Sequence, residues 1–215
     1  MHFAIKEKKE NIWIAQREGR AKDSDDRTQK GILQMMSMGG EGSIIERLKQ
    51  LHLVPLSISY EYDPCDYLKA AEYQLKRDVE GWKKGPTDDL VSMQTGIFGY
   101  KGHVHYHAAP CLDEYLDSLD PEMPKQDIYN KVAAYIDRQI HANYRLYPGN
   151  YVALDLLEGT DAHASQYCEE QKATFLKYLE GQLAKIDVPH KDEAYLKERM
   201  LTMYANPVRN HLATL

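Results

Sequence analysis

The chain has 215 residues, with 27 Lys and Arg against 33 Asp and Glu and a formal net charge of -6. Its 43% hydrophobic and 28% charged residues are ordinary for a globular protein and exclude global disorder. The acidic balance excludes sequence-independent nucleic-acid binding, which needs a basic face to displace counterions. No apolar run approaches the roughly 18 residues that a membrane-spanning helix requires. The first ten residues hold no apolar signal core, so a cytoplasmic location is expected. Cys65, Cys111 and Cys168 are odd in number and widely spaced with no CxxC pair, which reads as reduced thiols rather than a disulfide frame or a zinc site. Tyrosine is abundant, 16 against 3 Phe and 2 Trp, and predicts many half-wet packed surfaces.

Residues 2–10 read as the last turns of a helix. The apolar, partly β-branched run Ile12-Trp13-Ile14-Ala15 then reads as a buried strand. Residues 16–27 carry almost nothing apolar. A helix is expected over 28–38, with Ile32, Leu33, Met35 and Met36 inward. Ser43 and Glu46 have the spacing of a capping box, opening a helix to about Gln50. Residues 53–60 give the clearest strand, with Pro55 at its start because it cannot donate to a ladder. Asp63-Pro64 opens a helix over 65–79, residues 80–92 read as a loop, and 102–108 alternates as another strand. Beyond Leu112 the pattern is helical, at about 125–146, 163–185 and 191–204.

The strongest local signal for chemistry is the junction at 12–27. An apolar strand delivering Arg17-Glu18-Gly19-Arg20 at its carboxyl end is where open α/β folds place ligand groups. Gly19 permits close backbone approach, and Arg17, Arg20, Lys22 and Arg27 suit a phosphate through charge-assisted bonds. The alternative is a solvated turn with local ion pairs among the arginines and Glu18, Asp23, Asp25 and Asp26. His103, His105 and His107 share one face of a strand at period two, which suits a metal. No fourth ligand is placed with them, so they read instead as the polar outer face of an edge strand.

The run Ile12-Trp13-Ile14-Ala15-Gln16-Arg17-Glu18-Gly19-Arg20, followed by Leu53-Val54-Pro55-Leu56, resembles the second half of the glycerolipid acyltransferase family, which includes the lysophosphatidic acid and glycerol-3-phosphate acyltransferases. Glu18-Gly19 is similar to the core of that family's third block, and Val54-Pro55-Leu56 to its fourth. The wording Arg-Glu-Gly-Arg-Ala-Lys-Asp is similar to a bacterial branch of the superfamily. The third block usually has Pro before Glu, where this chain has Arg17, and its Arg normally stands one residue further from the Gly than Arg20 does. The family's first block, His-x4-Asp, supplies the base that deprotonates the acceptor hydroxyl. None of the nine histidines here has Asp five positions later, so the dyad is expected upstream of Met1 and this chain alone is expected to be inactive.

The resemblance covers about the first half of the chain. It implies the C-terminal part of an α/β domain over 1–112, with a mixed, mostly parallel sheet flanked by helices, followed by a helical region over 113–215. It implies acyl transfer from acyl-CoA or acyl carrier protein to a glycerol-3-phosphate or lysophosphatidic acid hydroxyl in phospholipid biosynthesis. Arg17, Glu18, Gly19 and Arg20 would bind the acceptor phosphate at the cytoplasmic face of a membrane, with peripheral membrane contact and no metal or redox cofactor. The alternative is a non-catalytic α/β module binding a phosphorylated ligand or a protein.

Overall fold

The computed structural model describes residues 1–17 and 22–215. Ten α-helices, one short 3-10 helix (Ala164–Gln166) and two strands follow one another among them. The first half holds α1 (His2–Lys6), α2 (Lys30–Met36), α3 (Ile44–Lys49), β1 (Leu56–Tyr60), α4 (Asp66–Asp78), α5 (Asp88–Phe98) and β2 (Val104–Ala108). The second half holds α6 (Asp113–Asp117), α7 (Lys125–Ala142), α8 (Pro148–Glu158), α9 (Glu169–Ala184) and α10 (Glu193–Leu212).

The expected mixed, mostly parallel sheet is not the architecture. Helix makes up 55% and strand 5%, and the sheet is a two-stranded antiparallel ribbon. Its register sets Leu56 against Ala108, Ile58 against Tyr106 and Tyr60 against Val104. The structure departs from that expectation first at Ile12–Ala15. A β-branched run becomes a strand only when another strand accepts its backbone, and among the described residues none pairs with it. Trp13 is 72% exposed, and Ile12 and Ile14 are about 40% exposed, at 42% and 41%.

The ribbon also inverts the expected burial. Ser57 and Ser59, not the apolar residues, face the helices: Ser57 Oγ donates to the Ile140 carbonyl at 2.7 Å, and Ser59 Oγ accepts from the Arg145 amide at 3.0 Å. Small hydroxyls let α7 approach the strand closely while satisfying the polar groups at its C-terminal end. Opposed residues share a face, so His105 and His107 lie on this half-buried side with Ser59 and Ser57. Val104, Tyr106 and Ala108 form the outward face. The histidines are therefore not the strand's outer face, and His103 lies before β2, bonded to Glu61 at 2.7 Å.

Local signals placed several helices well. The capping box forms as expected, with Ser43 Oγ accepting from the Glu46 amide and Glu46 accepting from the Ser43 amide. In α2, Ile32, Leu33 and Met36 are buried, whereas Met35 points outward at 59% exposure. Helix α5 occupies part of the expected loop and leaves Leu90, Met93, Ile97 and Phe98 exposed.

Two apolar cores hold the chain. One gathers Ala70 of α4 with Val152, Phe175, Leu196, Met200 and Val208 of α8, α9 and α10. The other gathers Leu33, Leu48, Leu116 and Val132 of α2, α3, α6 and α7 with Leu112, which precedes α6. Helix α10 runs through Pro207, which removes one ladder donor. Near that gap Asn150 Nδ2 donates to the Tyr204 carbonyl at 2.8 Å, so α8 satisfies an oxygen on the neighbouring helix.

Candidate functional site

An apolar groove of about 620 Å3 lies between α2, β1, α7 and the segment 11–17. Its wall includes Ile12, Ile14, Ile32, Leu33, Leu56 and Ile58. The strand residues reach it because the serines have taken the opposite face of β1. The run expected as a buried strand thus supplies half-exposed apolar side chains to a groove wall.

Arg17 and Asp26 bring charge to this wall, paired at 3.5 Å. The Arg17 Nε is buried and has no partner among the described residues, which leaves a directional donor unused. Burial pushes the Asp26 carboxyl up, opposed by the neighbouring Arg17 guanidinium. An anion bound through the free Nε would leave the Arg17–Asp26 pair in place, and the raised Asp26 carboxyl can take up a proton beside it.

The polar segment after residue 21 is clamped rather than merely solvated. Lys22 pairs with Glu72, which also meets Lys76 at 3.0 Å and Lys84 at 3.6 Å. Asn206 Nδ2 donates to the Asp23 carbonyl at 2.7 Å. Asn210 bridges the next turn, donating to Asp25 at 3.0 Å and accepting from Arg27 at 2.7 Å. Thr28 donates its amide and its hydroxyl to Asp137 Oδ1, at 2.8 and 2.6 Å. His141 Nε2 donates to the Asp26 carbonyl at 3.1 Å, and burial lowers its pKa. Helices α4, α7 and α10 thus fix the segment 22–28. Local ion pairs are present as well, Arg17 with Asp26 and Arg27 with Asp25.

Of the four expected phosphate-binding residues, Arg17 lines the groove, while Glu18, Gly19 and Arg20 lie outside the described residues. Pro55 also lines the groove, immediately before β1, and its carbonyl accepts from the Ala109 amide at 2.9 Å. The three histidines at 103–107 do not gather as ligands; a different set does. Among the described residues His52, Cys111 and Asp113 bring potential ligand atoms within 4.8 Å of one another. Sequence spacing gives no sign of it, since antiparallel pairing joins residues some sixty positions apart. Pairing the two strands in register would have revealed it.

A second cavity, about 610 Å3, lies beside His103, Glu61, Arg145 and Phe175. It mixes charges of both signs, with less apolar wall. No helix among the described residues is long and apolar enough to cross a membrane. No family, curated protein or solved structure was found to match the chain.

Proposed function

We propose that the chain serves acyl transfer to a glycerol-phosphate-type hydroxyl, in phospholipid biosynthesis, by holding a substrate with one acyl chain and one phosphate. The carrying observation is the apolar groove with an under-used arginine on its wall. Its volume falls within the roughly 300–1,000 Å3 of small-ligand sites. An acyl chain gains about 0.8 kcal/mol for each methylene it buries, so the groove supplies affinity. Arg17 supplies selectivity for phosphate, because a guanidinium offers several fixed donors to its oxygens.

The acyl donor in this reading is acyl-CoA or acyl carrier protein. The chain's own contribution is binding and orientation. None of its histidines has the His-x4-Asp spacing of the acyltransferase base, so proton removal from the acceptor is not assigned to any residue here. That same absence favours a second reading, a non-catalytic module that binds a phosphorylated lipid. Both readings require the groove to take an acyl chain.

Trp13 lines the groove and gives a direct test. With Trp82 replaced by Phe, titration with a lysophosphatidic acid should change Trp13 fluorescence and saturate. Val54 is half exposed on the same wall, and Val54→Glu should abolish the change by placing a charge there. No saturable change with a folded protein refutes ligand binding in the groove. Acyl transfer in an assay with acyl donor would then separate the enzyme from the module.

A further inference from the structure

We propose that His52, Cys111 and Asp113 form a binding site for a divalent transition-metal ion of the zinc class. His52 also lines the rim of the apolar groove, but the proposal does not rest on what the groove binds.

Two segments are locked together here by an extension of the ribbon. The Ala109 amide donates to the Pro55 carbonyl and the Leu112 amide to the Leu53 carbonyl, each at 2.9 Å. This carries Cys111 and Asp113 alongside His52. His52 has φ +48, a left-handed conformation that non-glycine residues rarely adopt. Its Nδ1 lies 2.7 Å from Asp113 Oδ2. The other carboxylate oxygen, Asp113 Oδ1, is buried and meets no nitrogen or oxygen donor among the described residues, the carboxylate's further neighbour being the Cys111 thiol. An unpartnered buried carboxylate oxygen carries a desolvation cost that a bound cation removes.

The donor set is chemically specific. One imidazole nitrogen, one thiol sulfur and one carboxylate oxygen lie within 4.8 Å of one another. Zinc holds sulfur at about 2.3 Å and nitrogen or oxygen at about 2.0–2.2 Å, so tetrahedral donors stand about 3.3–3.7 Å apart. The 2.7 Å contact between His52 Nδ1 and Asp113 Oδ2 is shorter than this, so a bound ion would replace that hydrogen bond, and the exposed His52 side chain has room to shift. Magnesium and calcium, which prefer all-oxygen shells, are disfavoured by the sulfur. Three protein ligands leave a fourth position for water or a small anion, the pattern of an open zinc site. Binding converts the Cys111 thiol to thiolate, and its proton passes to the buffer.

Calorimetric titration of the full chain with Zn2+ should show one ion bound per chain, with proton release that varies with the buffer's ionisation enthalpy. Co2+ in its place should give a near-ultraviolet thiolate-to-metal charge-transfer band. Cys111→Ser should remove that band and weaken zinc binding by at least about tenfold, whereas Cys168→Ser should leave both intact. His52→Asn provides a second variant, since Asn tolerates the left-handed backbone, and it too should weaken binding. No stoichiometric zinc binding, or a charge-transfer band that survives Cys111→Ser, overturns the proposal.

Discussion

The Tyr204 hydroxyl donates to Asp66 Oδ2 at 2.8 Å and accepts from the Asp63 amide at 3.0 Å, joining α10 to the start of α4. Asp66 is wholly buried and also accepts from Tyr178 at 2.9 Å and from Gln182 at 2.6 Å. Burial raises its pKa to about 6, against the opposing hydrogen bonds from Tyr204 and Tyr178. The tyrosine-rich composition is here structural: phenols partner a carboxyl that water cannot reach.

This carboxyl gives the fold a defined pH response. An unfolded Asp loses its proton near pH 3.9, whereas folded Asp66 keeps it to about 6. Between those values the folded chain holds the extra proton, so the contribution of Asp66 to stability falls as pH rises, by up to about 3 kcal/mol. Urea unfolding of the wild type and Asp66→Asn at pH 4, 5 and 6 isolates the effect. The wild type's advantage should shrink across that range; a constant difference contradicts it.

Asp155 works with the opposite sign. It is buried on α8, and burial pushes its carboxyl up, but donation from His163 Nδ1 at 2.8 Å and from Tyr167 at 2.9 Å holds it below the usual range. Stability from this group is present above the ordinary carboxylate pKa and lost as pH falls through the depressed one. Asp155→Ala should cost about 1–3 kcal/mol at neutral pH, because its donors lose their acceptor. The cost should fade in acid, as read from denaturation midpoints.

Gly149 sits in the first turn of α8 against Phe175. A Cβ there would stand 2.6 Å from the ring, which is packed edge-on against Tyr204 at 5.1 Å. Alanine gains about 1 kcal/mol of helix propensity, but overpacking a filled core costs about 1–3 kcal/mol. Gly149→Ala should therefore lower the melting temperature, while Gly181→Ala, with open space around it, should raise it or leave it unchanged.

Asp137 offers a test of the loop clamp away from the groove wall. It accepts both Thr28 donors and positions the segment that carries Asp26. Asp137→Ala should weaken lysophosphatidic acid binding severalfold while leaving most of the helical content, read by fluorescence titration and circular dichroism. Unchanged affinity means the clamp does not position Arg17.

What could be read from the sequence was local. Ser43 and Glu46 announced the α3 cap, Pro55 announced the start of β1, and the apolar spacing of Ile32, Leu33 and Met36 announced α2. Pairing decisions were not local. Ile12–Ala15 has the composition of a strand, but a strand exists only with a partner, and composition carries no partner. The inward turn of Ser57 and Ser59 was hidden because it follows from α7 lying against β1, some eighty residues later in the chain. Arg17 was legible as a candidate from its charge; its unpartnered Nε and its groove were not, since both depend on α2 and α7.

The most direct test is thermal stability with glycerol 3-phosphate, a lysophosphatidic acid, and an uncharged monoacylglycerol of the same chain length. A ligand at 100 times its Kd should stabilise the fold by about 2.7 kcal/mol. Lysophosphatidic acid should raise the melting temperature most, and Arg17→Ala should reduce its advantage over the monoacylglycerol by about 10- to 100-fold in affinity, as expected for a charge-assisted bond. Equal shifts with lysophosphatidic acid in wild type and Arg17→Ala, or no shift with any acyl ligand, would contradict a groove that binds acyl chain and phosphate together.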